Sequence, residues 1–238
     1  MMPAHQEFTL YGPSHWAMIA LFVAGSAGLI WLGRRQNEHQ ARTFGRVVGA
    51  LTGLIYAAVL VYMVLDPEVT DAIPLRLTDI ATVVAAVAWW SQRHWAFAIT
   101  YYWGLVLSAQ ALVSPVLHGP DFPSVEYLAF WAIHLLVVWA AVYLTWGRGM
   151  RPTWRSYRLV VGVTMAWALL TFLANTMTGA NYGFLNEKPS TATLLDVLGP
   201  WPVYIFAAAA LVLVVWALMT WPWQRARRRP VASGSPLI

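Results

Sequence analysis

The chain has 238 residues, of which 59% are hydrophobic and 11% charged, with a formal net charge of +5 and no cysteine. The apolar residues come in long blocks rather than at amphipathic spacing, which excludes a water-soluble core, and the lack of thiols excludes disulfides, thiolate metal sites and a cysteine nucleophile. The basic residues sit beside the ends of the apolar blocks, so the positive charge is not a nucleic-acid footprint and no nucleic-acid partner is expected.

Lipid offers a backbone no hydrogen bonds, so each block is predicted to be a helix of roughly 20 residues per ~30 Å crossing. In chain order the blocks cover residues 16–33, 47–65, 75–90, 95–117, 125–146, 159–177 and 201–223, the third being the shortest. The segment before them carries Glu7 and no Lys or Arg, unlike the basic start of a secretory signal peptide, so the first block is expected to be retained. Arg34, Arg35, Arg42 and Arg46 follow the first block, Arg93 the third, Arg148, Arg151, Arg155 and Arg158 the fifth, and Arg225, Arg227, Arg228 and Arg229 the last. The alternate connections are acidic or mixed, with Asp66, Glu68 and Asp71, then Asp121 and Glu126, then Glu187, Lys188 and Asp196. Cytoplasmic loops are enriched in Lys and Arg, and seven crossings put every Arg-rich connection on one side. The expectation is an all-α integral membrane protein of the cell membrane: seven transmembrane helices, N-terminus outside, C-terminus cytoplasmic.

Trp16, Trp31, Trp95, Trp146, Trp201 and Trp223 fall near the predicted helix ends, where amphipathic rings anchor at the interface. Gly45, Gly49 and Gly53 recur at spacing four in the second block, a small-residue stripe that lets another helix approach closely. No linker or internal repeat divides the chain, so residues 1–229 are expected to form one domain and 230–238 a short disordered cytoplasmic tail.

Polar side chains at depth in lipid are costly and are the first suspects for function. His134 lies roughly 10 Å into the fifth block at ~1.5 Å per residue, and Thr78 and Asp79 begin the third, ~6 Å below the outer boundary on the same rise. Trp103, Leu107, Gln110 and Ser114 share a face of the fourth block, and Thr164, Thr171 and Asn175 recur along the sixth. His118, Asn181 and Lys188 belong to connections on the same side. The pattern describes a polar cavity opening outward between the third and sixth helices. In one reading the Thr78 hydroxyl attacks an acyl carbonyl and His134 takes its proton, with Asp79, Asn175 or Gln110 orienting the imidazole or holding the oxyanion. In the other, Thr78 caps its helix and His134 joins a buried hydrogen-bond network. Arg76 and Asp79 pair at the helix entrance or line a proton or anion path, and Lys188 is either a solvated loop lysine or a grip for a phosphate headgroup.

A retinal protein needs a Schiff-base lysine in its last helix, whereas Lys188 is the single lysine and lies in a connection. His134 has no second buried His beside it for haem or a metal, so no cofactor and no metal are expected. A transporter, with paired halves and broken helices, stays open as an alternative, Pro74 and Pro115 being able to interrupt helices.

Several of these residues also carry a resemblance. The entry Pro74-Leu-Arg-Leu-Thr-Asp79, Gly104 with Gln110 and Pro115, the embedded His134, Arg151-Pro-Thr-Trp154, Asn181-Tyr-Gly-Phe-Leu with Lys188-Pro189, and the stretch from Leu194 to Tyr204 resemble the YwaF-like family of bacterial integral membrane proteins. That family is in turn similar to a vertebrate transmembrane acyltransferase that remodels ether phospholipids with a Cys and a His, and to androgen-induced fatty-acid-ester hydrolases of the ADTRP type, which use a Thr and a His. The resemblance implies that Thr78 stands at the Cys position, His134 at the His position, and Arg76 where the family has a His. A hydroxyl is almost fully protonated at neutral pH, so a Thr in place of a Cys makes any such chemistry more dependent on its base. The expectation is a lipid acyl hydrolase or acyltransferase acting on a membrane lipid or lipid-like acyl substrate, with Asn175, Asn181 and Lys188 placing substrate. A non-catalytic protein that binds or carries a lipid or small amphiphile in the same cavity is the alternative, and oligomeric state is not implied by any of these residues.

Overall fold

Each apolar block becomes a helix because its backbone has no other way to satisfy its polar groups in lipid. A computed structural model describes residues 7–65, 73–117, 119–189 and 194–227; His118, the acidic group Asp66, Glu68 and Asp71, and the tail from Arg228 lie outside these. Among the described residues there is no strand, only an isolated bridge between Glu7 and Pro120. Six helices are long and apolar enough to cross a membrane. They are α1 (Pro13–Arg35), α2 (Glu38–Leu65), α4 (His94–Val113), α5 (Val125–Gly147), α6 (Trp154–Thr178) and α7 (Val203–Arg227). The third block forms the shorter apolar helix α3 (Leu77–Ser91). All seven blocks are therefore helical.

The bounds differ from expectation where polar residues extend a helix past its apolar part. Helix α2 begins at Glu38 rather than residue 47, its first turns carrying the Glu38–Arg42 pair at 3.9 Å. Helix α4 stops at Val113, before Pro115, and runs as a π-helix from Trp103 to Ser108. Helix α5 ends in a second π-segment, Tyr143–Gly147.

Side-chain bonds to backbone carbonyls gather the Arg-rich connections at one end of the bundle. Arg34 donates to the Trp146 carbonyl, Arg148 to those of Gly33 and Gln36, Gln92 to that of Ala41, and Gln224 to that of Pro152. At the opposite end Tyr11 donates to the Val113 carbonyl, Ser14 to Asp121, Tyr62 to Glu126 and Trp167 to the Leu75 carbonyl. Successive helices thus run up and down between a basic end and an opposite end, as the charge pattern requires.

The core lies where α3, α4 and α5 meet, around Trp89, Phe97, Tyr102, Trp103 and Tyr143. More than half of the spanning windows of α4 and α5 is buried, against less than a quarter for α1, α2, α6 and α7. Those outer helices present Leu54, Met165, Phe206 and others to the surroundings, as helices bathed in lipid do. Helix α2 rests on α3 through Gly45 and Gly49: a methyl built on Gly45 would lie 2.4 Å from the Trp89 carbonyl, and one on Gly49 2.8 Å from that of Ala86. Gly53 does not belong to this contact, having nothing within 4 Å. The buried face follows the helical period through Gly45, Gly49, Thr52 and Tyr56, so a strict spacing of four drifts off it after two steps.

Candidate functional site

The site is built from the start of α3 outward. Arg76 precedes the helix in an extended conformation, and the Asp79 carboxylate accepts its backbone N–H at 3.0 Å, satisfying an amide that the first turn leaves without a helical partner. The Tyr56 hydroxyl, on the glycine face of α2, lies near the same carboxylate. Asp79 is buried, whereas Arg76 is exposed. Thr78, between them in the first turn, is half-buried; its carbonyl accepts from Thr82 at 2.7 Å, and its hydroxyl has no hydrogen-bond partner among the described residues.

His134 is buried on α5 with its ring against Phe130, centroids 4.3 Å apart. Its Nδ1 lies 2.7 Å from the Phe130 carbonyl. A carbonyl can only accept, so Nδ1 carries the hydrogen, and in the neutral imidazole Nε2 presents its lone pair. Among the described residues nothing hydrogen-bonds Nε2, and it is not one of the sealed, unpartnered polar atoms. The other deeply buried histidine is the reverse case. His15 accepts the Tyr11 N–H at Nδ1 and donates from Nε2 to the Leu112 carbonyl, 3.0 Å each, so one nitrogen ties the segment before α1 to that helix and the other holds α1 to the end of α4. Sequence reasoning passed over His15 because the first apolar block starts at Trp16, while proline at the first helical position begins α1 at Pro13.

Helices α3 and α5 pack together and run in the same direction. Trp89 and Tyr143 fix their register, with ring centroids 4.7 Å apart. At ~1.5 Å per residue this pair sets Thr78 level with Ala132, and His134 about 3 Å further along. Thr78 lies three turns before Trp89 on the face turned toward α5. His134 lies two turns before Ala141, on the side of α5 that meets Gly104, where Ala141 and the Val137 carbonyl abut α4. On helical periodicity alone, both side chains fall on the sides of α3 and α5 toward the junction with α4, at similar depth. The π-segment of α4 also packs on α5, and such widened turns recur at functional sites. It is a feature that hydropathy cannot reveal.

The remaining predicted residues divide into two groups. Gln110 is exposed two residues beyond the Trp103–Ser108 π-segment, and its amide has no partner among the described residues. Asn175 is 1% exposed and fully engaged: its amide donates to the Tyr182 carbonyl and to Asn186 Oδ1, and its oxygen accepts the Tyr182 N–H. Asn181 donates to the Glu187 carbonyl and accepts from the backbone of Asn186 and Glu187. Lys188 pairs with Asp196 at 3.6 Å and lies over the Tyr204 ring. Tyr204 and Trp201 in turn donate to the carbonyls of Phe184 and Leu185. These residues shape a cap joining α6 to α7. Tyr56 and Phe130 were not foreseen; Tyr56 is legible in retrospect, three turns from Gly45 on the same face.

Asn175→Ala removes three hydrogen bonds and strands the buried Tyr182 N–H, so it is expected to cost about 3 kcal/mol. Thermal unfolding in detergent, together with faster proteolysis between residues 181 and 188, is the check. Thr164 is bonded by Trp103 Nε1 at 2.9 Å, linking α6 to the core, while the Thr171 hydroxyl is buried without a partner among the described residues.

No curated protein and no solved structure matches this chain. The model of the TMEM164 family matches residues 10–220, which include all seven helices to within a few residues of either end, and the chain belongs to that family of membrane proteins.

Proposed function

We propose that this protein is a lipid acyl hydrolase or acyltransferase of the cell membrane, with Thr78 as nucleophile and His134 as general base. The observation that carries the reading is the state of His134: its Nδ1–H is held by the Phe130 carbonyl, and nothing among the described residues hydrogen-bonds its Nε2. A histidine serving structure alone would spend both nitrogens, as His15 does. In the reaction Thr78 Oγ bonds to the acyl carbon as its proton passes to His134 Nε2; the tetrahedral alkoxide then expels the glycerol oxygen, which takes the proton back. Water or an acceptor hydroxyl completes the cycle by attacking the acyl-threonine. The amide of Gln110, without a partner among the described residues, is the candidate oxyanion donor, while Arg76, Asn181 and Lys188 are the candidate donors to a headgroup.

The same reading assigns seven crossings. Helix α3, about 22 Å long at ~1.5 Å per residue, crosses a locally thinned section roofed by the cap between α6 and α7. The basic end faces the cytoplasm and the N-terminus the outside, so the site opens to the outer leaflet. Fatty-acid release from a diacylphospholipid by the purified chain in nanodiscs tests the function. Release that disappears in both His134→Ala and Thr78→Ala supports it; bound lipid that stays chemically unchanged favours a lipid-binding protein instead.

A further inference from the structure

The basic end holds an open cleft of about 580 Å³ between α2 and the α3–α4 turn, lined by Arg42, Arg46, Arg93, Trp90, Trp95 and Val87 among others. Arginine enrichment at one end explains why these residues lie there. It does not explain why three guanidinium groups border one cavity. Like charges brought together repel, and the carboxylate in the cleft does not neutralise them: Glu38 is bound by Arg148 and stands 3.9 Å from Arg42. Arg46 and Arg93 have no carboxylate partner among the described residues, and both are exposed.

The close approach of α2 to α3 through Gly45 and Gly49 makes the wall of this cleft, and the Gln92 side chain closes its base by donating to the Ala41 carbonyl at 3.1 Å. Trp95 is the second residue of α4, so the positive end of that helix also borders the cavity. Apolar surface continues from the cleft along α3. Val83, Val87 and Trp90 recur at helical spacing on the outer face of α3, with 48%, 36% and 54% exposure. A guanidinium cluster binds phosphate with charge-assisted, forked hydrogen bonds, and an apolar track running from it accepts an acyl chain.

We propose that this cleft binds an anionic glycerophospholipid from the leaflet at the basic end, with its phosphate on Arg42, Arg46 and Arg93 and a chain along Val87 and Val83. It lies at the opposite end of α3 from Thr78 and does not depend on the chemistry proposed there. The full chain, purified in a neutral detergent, is titrated with dioctanoylphosphatidylglycerol, dioctanoylphosphatidylcholine and inorganic phosphate, reading tryptophan fluorescence. Phosphatidylglycerol is expected to bind about tenfold or more tighter than the other two, and less tightly at high salt. Arg46→Gln combined with Arg93→Gln is expected to raise its Kd about tenfold. The pair Arg155→Gln with Arg158→Gln removes the same charge from the same end and is expected to leave that Kd unchanged. Equal affinity for the two lipids in the unaltered protein overturns the proposal, whatever the variants do. So does equal weakening by both pairs, which marks diffuse charge, and so does inorganic phosphate binding as tightly as lipid, which marks a free-anion site.

Discussion

His134→Ala is expected to lower acyl turnover by between about 100-fold and 10,000-fold, the contribution of a positioned general base to a hydroxyl nucleophile. The large value follows from the nucleophile. A threonine hydroxyl is almost entirely protonated at neutral pH, so without a base the attack has no means of losing its proton. The substitution separates catalysis from folding, because among the described residues the imidazole hydrogen-bonds only the carbonyl of Phe130 on its own helix, and its removal leaves none of their groups on a neighbouring helix unpaired. Thermal unfolding measured alongside turnover is expected to shift by a few degrees at most, the loss being mainly that of packing against Phe130.

Gly45→Ala is expected to be the most damaging of the small substitutions, lowering stability by about 3 kcal/mol. On an open helix the same change gains up to about 1 kcal/mol, because glycine is the costlier residue in a helix interior. Here the new methyl would meet the Trp89 carbonyl at 2.4 Å, and a backbone carbonyl inside a helix cannot turn away. Helix α2 must move off α3, the helix whose first turn holds Thr78. Turnover is expected to fall with stability. Gly53→Ala is the internal control: the space around Gly53 is open within 4 Å, so this variant is expected to be neutral or slightly stabilising. Unfolding midpoints of the two variants in one detergent decide the matter, and equal shifts would contradict the packing described here.

What could be read from residues in advance was whatever depends on local composition. Long apolar runs and arginines at alternate connections are properties of short stretches, and both the seven helices and the common end of the Arg-rich connections follow from them. Phase was harder. Gly53 looked equivalent to Gly45 because a spacing of four is close to one turn, yet the accumulated drift turns it out of the contact and puts Thr52 and Tyr56 there. The π-segment of α4 leaves no trace in composition at all. At the site, the burial of His134 and the place of Thr78 at a helix start were legible, but the hydrogen-bond state of each was not. An asparagine in an apolar helix reads equally well as a substrate ligand or as a clasp, and only the positions of Tyr182 and Asn186 show that the Asn175 amide holds the cap between α6 and α7.

The chain has no cysteine, so Thr78→Cys places a single thiol at the proposed nucleophile. A thiol is a few per cent ionised at neutral pH and intrinsically more nucleophilic than a hydroxyl. The measurement that bears most directly on the account is fatty-acid release from diacylphospholipid in nanodiscs by the unaltered chain, Thr78→Cys and Thr78→Ala, each before and after treatment with a membrane-permeant maleimide. Turnover by the Cys variant is expected at or above that of the unaltered chain and is lost on maleimide treatment, with none by the Ala variant. Turnover by Thr78→Ala equal to that of the unaltered chain would contradict this expectation.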